Sequence, residues 1–328
     1  MGSKIKKIEY YLPKNVLTNS ALEKEYKNWD AEKIERKVGI RERRIAGENE
    51  TALDMAFKSA QKILADYDKS KIDFLLLCTQ SPDYYLPTSA CILQEMLGLG
   101  TSVGAFDFNL GCSGYVYGLA IANGLICSNI AENILLITSE TYSKYIHPLD
   151  CGNRTIFGDG ATSTIIEKND QNGIFEFVLG TDGRGYKNLI VPNGGLRNRF
   201  KKQDTMDNNT PNDDNLYMNG PEIFNFTIEA VPNLVEKALS KNKTTMADVN
   251  FVIFHQANKY MLEYLRDKIN IPKEKFYINL VQTGNTVSST IPIALKQCLD
   301  NKMIKIGDKI LLVGFGVGYS YGATIIQI

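Results

Sequence analysis

Phe106-Asp-Phe-Asn-Leu-Gly-Cys-Ser-Gly-Tyr-Val-Tyr-Gly-Leu119 changes its period halfway along. Phe106 to Leu110 reads as a short buried strand, and Ser113 to Ile126 as an apolar helix of small residues. Cys112 therefore stands on the tight turn between them, flanked by Gly111 and Gly114. Such glycines permit a strained backbone or the close approach of a ligand. The unpaired N–H groups and partial positive charge of a helix start favour a thiolate over a thiol at that place. A strand, a sharp turn and a nucleophile at a helix start make a nucleophile elbow with Cys in place of Ser. Taken alone, Cys112 reads equally well as one more small, buried, apolar residue.

Working outward, the same succession of elements returns in the second half. Asn250-Phe-Val-Ile-Phe254 followed by His255-Gln256 matches Asp73-Phe-Leu-Leu-Leu77 followed by Cys78-Thr79. Tyr277-Ile-Asn-Leu280 before Gly284 matches Asp107-Phe-Asn-Leu110 before Gly114. Lys309–Val313 matches Asn133–Ile137, and Gly322–Ile326 matches Gly160–Thr164. These matches keep one order, so the chain is an internal duplication of a strand-and-helix unit, with a period too long for a solenoid. Alternating buried strands and helices imply an α/β body whose sheets are covered by helices. The runs Phe74–Leu77 and Asn133–Thr138 are apolar throughout, as strands covered on both faces are. Elsewhere the patterns predict a first strand at 4–11, a charged helix over 21–37 and an extended basic stretch over 38–44. They also predict a helix from Thr51, a helix over 88–97 and a strand over 162–167. The polar run 197–216, with Lys201, Lys202, Asp204, Asp207, Asp213 and Asp214, reads as an exposed loop.

Composition narrows the function. The chain has 328 residues, with 37 Lys and Arg against 37 Asp and Glu, so its net charge offers nothing to nucleic acid. No apolar run approaches the ~20 residues of a membrane span. The start, Met-Gly-Ser-Lys-Ile-Lys-Lys7, has neither the apolar core of a signal peptide nor a myristoylation pattern. Six cysteines show no CxxC pair, and they read as reduced thiols of a cytoplasmic protein. Only His147 and His255 are present, which argues against a histidine-built metal site. His147, in Tyr145-Ile-His-Pro148, reads as a loop residue.

His255 ends a buried strand, where the loops of a covered sheet face a ligand. Asn285, in Gln282-Thr-Gly-Asn-Thr-Val-Ser-Ser-Thr290, occupies the turn of the second repeat that corresponds to Cys112's turn in the first. Two repeats facing each other would bring Cys112, His255 and Asn285 together. A thiolate there attacks a carbonyl carbon, while an imidazole and a carboxamide hold a developing oxyanion. Taken one at a time, His255 reads also as a satisfied core histidine and Asn285 as a turn former.

From end to end, the chain resembles the 3-oxoacyl-acyl-carrier-protein synthase III family of the thiolase superfamily. The motifs that carry the resemblance are Val38-Gly-Ile-Arg-Glu-Arg43, Asn109-Leu-Gly-Cys-Ser-Gly114, Ile156-Phe-Gly-Asp-Gly-Ala161, His255-Gln-Ala-Asn258, Gly284-Asn-Thr286 and Gly314-Phe-Gly-Val-Gly318. The resemblance implies a thiolase-like five-layered α-β-α-β-α fold made of two duplicated halves, 1–172 with the nucleophile and 173–328 with His and Asn. It implies a homodimer, no metal or redox cofactor, and acyl thioesters on coenzyme A or acyl carrier protein as substrates. Cys112 would take the acyl group; His255 and Asn285 would hold the carbonyl of a malonyl thioester as CO2 leaves; the enolate would attack acyl-Cys112. The backbone N–H groups of Cys112 and Val317 would form the oxyanion hole. Phe157, Leu86, Lys37, Arg154, Asn258 and Tyr260 fall at positions around the substrate, Leu86 reaching into the partner's site.

Some positions depart from the family's pattern. Lys33 and Lys37 stand where a coenzyme A-binding Trp and Arg are usual, Cys151 where Arg is common, and Tyr260 in place of an Arg at the carrier-docking surface. A tyrosine does not replace a bidentate phosphate contact. The expectation is weak use of acetyl-coenzyme A, and a carrier-bound donor or a specialised route such as polyketide synthesis. Rival readings are an acyltransferase of the same fold acting on an amine or hydroxyl without condensation, and a non-catalytic dimer partner. Gly314–Gly318 is no dinucleotide loop, because a strand rather than a helix follows it. The duplicated order of strands argues against a cysteine peptidase.

Overall fold

The computed structural model describes residues 2–26, 28–198 and 210–328. Two five-stranded sheets frame it. The first runs, from edge to edge, Gly2–Tyr11, Gly160–Asn169, Asn133–Glu140, Phe74–Cys78, Gly104–Phe108. The second runs Ile174–Thr181, Ser320–Gln327, Lys309–Gly316, Phe251–Phe254, Phe276–Tyr277. In both, the first two pairings are antiparallel and the last two parallel. All the strand matches read from sequence occupy equivalent places. Gly2–Tyr11 and Ile174–Thr181 form a further equivalent pair, which their mixed burial hid from a pattern search.

The strands are apolar on both faces for a simple reason. Side chains alternate across a strand, and each sheet here is covered twice. Leu75 and Leu77 pack outward with Leu53, Ala56 and Leu93, from the helices Ala52–Leu64 and Ser89–Met96. Leu76 packs inward with Val116, Leu119, Ile291 and Leu295, from the helices Gly114–Cys127 and Thr290–Asp300. Ile253 and Leu312 of the second sheet close the same inner cluster. Beyond that sheet, Val252 and Leu311 meet Val235 and Leu262 of the helices Gly220–Lys241 and Lys259–Ile269. The result is the five-layered α-β-α-β-α fold, with the helix that follows Cys112 in the middle layer. Among the described residues no helix is long and apolar enough to cross a membrane.

Three local expectations change. The helix expected over 21–37 is two helices, Asn19–Glu25 and Ala31–Val38, because Thr18 and Asp30 each cap a helix start, accepting from Ala21 N at 3.1 Å and Lys33 N at 2.8 Å. The basic stretch is not continuously extended: Gly39 ends the second helix at φ 75, and only Glu42–Ile45 is a strand, paired with Asn15–Thr18. Its Arg43 is fully buried and donates to Asn19 Oδ1, Leu17 O and Thr155 O at 2.8, 3.2 and 2.7 Å. Burial holds its pKa down at about 10, and the side chain ties three segments together. Of the polar run, Lys201, Lys202, Asp204 and Asp207 lie outside the described residues, whereas Asp213 and Asp214 are exposed.

Candidate active site

Cys112 lies between the strand Gly104–Phe108 and the helix Gly114–Cys127, and is only 5% exposed. It belongs to a buried cluster with Tyr142, Phe157, Leu189, Leu216 and Val287. The strand Lys309–Gly316 of the other half runs directly against this turn. A Cβ on Gly316 would stand 2.8 Å from both Cβ and Sγ of Cys112, and one on Gly314 would stand 2.8 Å from the Cα of Ser113. Glycine is required there by contact. Gly111 and Gly114 also admit close neighbours, Val317 with Gln80 and Cys78 respectively, but neither takes a positive φ. Neither glycine uses the left-handed conformation it would permit.

Burial opposes the expected thiolate. Burial pushes the Cys112 thiol up to about 12; a backbone hydrogen bond with Val317 opposes this, and the nearby Glu140 carboxyl adds to it. Desolvation acts on the whole side chain, whereas the helix-end field falls off within a turn. Burial therefore favours the neutral thiol.

His255 follows the strand Phe251–Phe254, its backbone N–H donating to Val313 O at 2.8 Å. Its ring is 2% exposed and edge-on to Phe315, with centroids 5.7 Å apart. Burial lowers its pKa to about 3, against a favourable hydrogen bond to the Val287 backbone, so the imidazole is neutral. Asn285 sits in a turn that opens at Gly284, whose φ is +67 and where a Cβ would meet Ile156 O at 2.9 Å. Its backbone makes two bonds to the Phe157 segment, Asn285 N to Ile156 O at 2.9 Å and Gly158 N to Asn285 O at 3.0 Å. Its Oδ1 accepts from Val287 N at 2.9 Å. That bond fixes the amide, so Nδ2 is the atom facing His255 Nε2, at 3.4 Å. Phe157 and Val287, which pack with Cys112, are thus bonded neighbours of Asn285: the structure brings the three predicted residues into one site.

The other predicted residues are less uniform. Phe157 is buried and tilted against Tyr142 at 5.3 Å. Leu86 is 82% exposed, beside the exposed Tyr84 and Tyr85. Lys37 projects from an exposed face of the helix Ala31–Val38. Arg154 is occupied by Glu25 and Tyr26 Oη, each at 2.5 Å, and by Pro148 O at 2.7 Å, so its guanidinium is not free for a phosphate. Asn258 caps the helix Lys259–Ile269, accepting from Met261 N at 2.9 Å. Tyr260 is exposed and stacked on Phe224 at 5.7 Å. His147 is buried, its Nδ1 accepting from Leu149 N at 3.0 Å.

Sequence reasoning missed Glu140. Fully buried, it accepts from Gln80 N at 3.0 and 3.1 Å and from Ser81 Oγ at 2.9 Å, and burial pushes its carboxyl up to about 8. An acidic residue closing an apolar strand, Asn133–Glu140, was the available signal. Thr290, whose Oγ1 lies 2.8 Å from His255 Nδ1, was missed because nothing in sequence links it to the histidine.

Comparison with known proteins shows the family. The description "3-Oxoacyl-[acyl-carrier-protein (ACP)] synthase III" matches residues 106–183, and its C-terminal counterpart matches 239–328. The β-ketoacyl-[acyl-carrier-protein] synthase III of Clostridium novyi is 37% identical over 99% of this chain and 98% of its own. The chain belongs to the 3-oxoacyl-(acyl-carrier-protein) synthase III family. The Fusobacterium nucleatum synthase III is 36% identical over 98% of both chains. A synthase III crystal structure superposes with a TM-score of 0.96 at 45% identity, covering all of both chains. The priming β-ketosynthase of the R1128 polyketide pathway gives 0.89 at 25%, covering 99% of this chain and 96% of its own.

Proposed function

We infer that the protein catalyses the decarboxylating condensation of an acyl thioester with a malonyl thioester, giving a 3-oxoacyl product for fatty acid synthesis. The observation that carries this is the buried pair of His255 Nε2 and Asn285 Nδ2, 3.4 Å apart, beside the cluster that holds Cys112. Simple acyl transfer needs a nucleophile and one oxyanion hole. A second pair of polar side chains, held rigidly and shielded from water, suits the carbonyl of a thioester losing CO2. In the proposed cycle the Cys112 sulfur bonds to the acyl carbon as the bond to the donor sulfur breaks, and the Cys112 proton ends on that sulfur, which leaves as a thiol. The backbone N–H groups of Cys112 and Val317 stabilise the tetrahedral oxyanion. Malonyl decarboxylation then leaves an enolate on oxygen, held by His255 and Asn285, whose carbon attacks acyl-Cys112 and returns the thiolate. This chemistry uses no metal or redox cofactor.

We propose further that the halves 1–172 and 173–328 are the units of the duplication, and that the exposed Tyr84, Tyr85 and Leu86 meet a second copy in a homodimer. Lys33 and Lys37 offer no aromatic surface to an adenine, and Arg154 is engaged, so we propose an acyl group delivered on acyl carrier protein in preference to coenzyme A. The test is intact-protein mass spectrometry with a panel of acyl thioesters, coupled to CO2 release from malonyl thioester. Acyl-Cys112 formation with CO2 release is expected. Acyl transfer to an amine or hydroxyl without CO2 would overturn it, and fast loading from acetyl-coenzyme A would overturn the donor preference.

A further inference from the structure

The hydrogen bonds around His255 contain more hydroxyl chemistry than a fixed imidazole requires. Asn285 Nδ2, its orientation fixed by Val287 N, can only donate, and it faces Nε2 at 3.4 Å. On the other side of the ring, Nδ1 meets Thr290 Oγ1 at 2.8 Å, and the same Oγ1 lies 3.0 Å from Val287 O. Thr290 is 3% exposed, so water does not compete for these bonds. A threonine hydroxyl has one proton and two lone pairs. Two arrangements therefore satisfy the set.

In the first, Nδ1–H donates to Oγ1, Oγ1–H donates to Val287 O, and the bare Nε2 accepts from Asn285. Every group is then paired within the protein. In the second, the Thr290 hydroxyl turns from Val287 O to donate to a bare Nδ1, and Nε2 carries the proton. Nε2–H and Asn285 Nδ2–H then face each other as two donors and are satisfied only by an acceptor placed between them. A thioester carbonyl oxygen is such an acceptor. The two arrangements contain the same atoms and the same charge; they differ in which imidazole nitrogen holds the proton.

We propose that Thr290 is a positioning residue whose hydroxyl reverses its hydrogen bond to let His255 change tautomer, so that the second oxyanion site becomes a double donor only when a thioester carbonyl enters it. This rests on the role given to His255 under Proposed function. A backbone carbonyl at Nδ1 could not serve, because it accepts and never donates, and would hold the proton on Nδ1 permanently.

The chain has only two histidines, which makes a direct test practicable. His147 Nδ1 accepts from Leu149 N at 3.0 Å, so His147 is an Nε2–H tautomer and an internal reference. In ¹⁵N-histidine spectra of the full-length protein, His255 is expected as Nδ1–H without ligand and as Nε2–H with a non-hydrolysable malonyl thioester analogue. Thr290→Val, nearly isosteric, is expected to stay Nδ1–H in both. It should lower CO2 release about 10²-fold, the size of effect seen on removing one oxyanion donor, with acylation of Cys112 reduced far less. Thr290→Ser should restore both the tautomer change and the CO2 release. An Nε2–H signal for His255 in the ligand-free wild type, or equal losses of both half-reactions in Thr290→Val, would overturn the proposal. The wild-type spectra decide it even if the valine variant fails to fold. Unchanged CO2 release in His255→Ala would instead sink the functional reading, independently of the spectra.

Discussion

Each half of the molecule presents two residues at the same edge of its sheet, and the halves use them differently. In the first they are Cys78, at the end of Phe74–Cys78, and Cys112, on the turn after the neighbouring strand Gly104–Phe108; in the second they are His255 and Asn285. His255 has a polar partner on each ring nitrogen. Its counterpart Cys78 has its thiol bonded to Leu110 O at 3.0 Å, with burial raising its pKa well above the ordinary range. The turns differ too. The first is tight, with a helix beginning two residues after Cys112. The second is drawn out through Gly284, Val287 at φ 56 and a 3-10 turn, Val287–Ser289, before the helix Thr290–Asp300 begins. Duplication thus supplies equivalent positions, and local backbone then assigns the chemistry. A nucleophile needs a short approach to one carbonyl carbon; a donor pair needs room for an oxygen between its members.

The sharpest way to break the comparison is to remove the nucleophile. Cys112→Ala should abolish acyl-enzyme formation, at least about 10³-fold, as read by intact mass. Next, Asn285→Ala should lower CO2 release about 10²- to 10³-fold while acyl-Cys112 still accumulates; equal loss of both steps would erase the division of labour. Gly316→Ala forces a methyl group to 2.8 Å from the Cys112 sulfur. It should slow acylation about tenfold or more, since small misplacements at a reacting centre are costly. Cys78→Ala, at the position equivalent to His255, should leave both half-reactions within about threefold and cost about 1 kcal/mol of stability from the lost sulfur contacts, measured by urea unfolding. A large catalytic loss there would mean that the two strand ends are not functionally distinct.

Protonation sharpens the contrast further. Glu140 ionises near 4.5 when unfolded and near 8 when folded. The native state holds the extra proton between those values, so this contribution is complete below about pH 4.5 and stability falls as pH rises toward 8. Glu140→Gln should flatten that fall in urea midpoints measured across the range. His255 runs the other way: its folded value near 3 lies below its unfolded 6.5, so its contribution is complete above 6.5 and is lost as pH falls toward 3.

Much of this was legible in the chain itself. The strand matches needed only periodicity, and His255 and Asn285 were found because duplication places equivalent turns together. Arg154 and Asn258 show where such reasoning stops. Both are polar residues near the site, but Arg154 is spent on Glu25 and Pro148, and Asn258 on capping a helix. Their partners are distant in sequence or belong to local geometry, and residue type does not reveal whether a donor is already engaged. Arg43 lay in a run read only as extended and basic, yet it is buried against three carbonyl or amide oxygens.

The sequence alone determined the repeated order of strands, the layered fold and the three residues proposed to react, because alternation, helical spacing and turn chemistry are local properties repeated along the chain. Only the tertiary structure decided that burial favours the neutral thiol at Cys112, that Glu140 is close enough to add to that effect and that Thr290 touches His255. Desolvation sums over every element packed around a group, and a hydroxyl's choice of partner depends on backbone atoms brought from another segment. Neither quantity has a signature in any single stretch of residues.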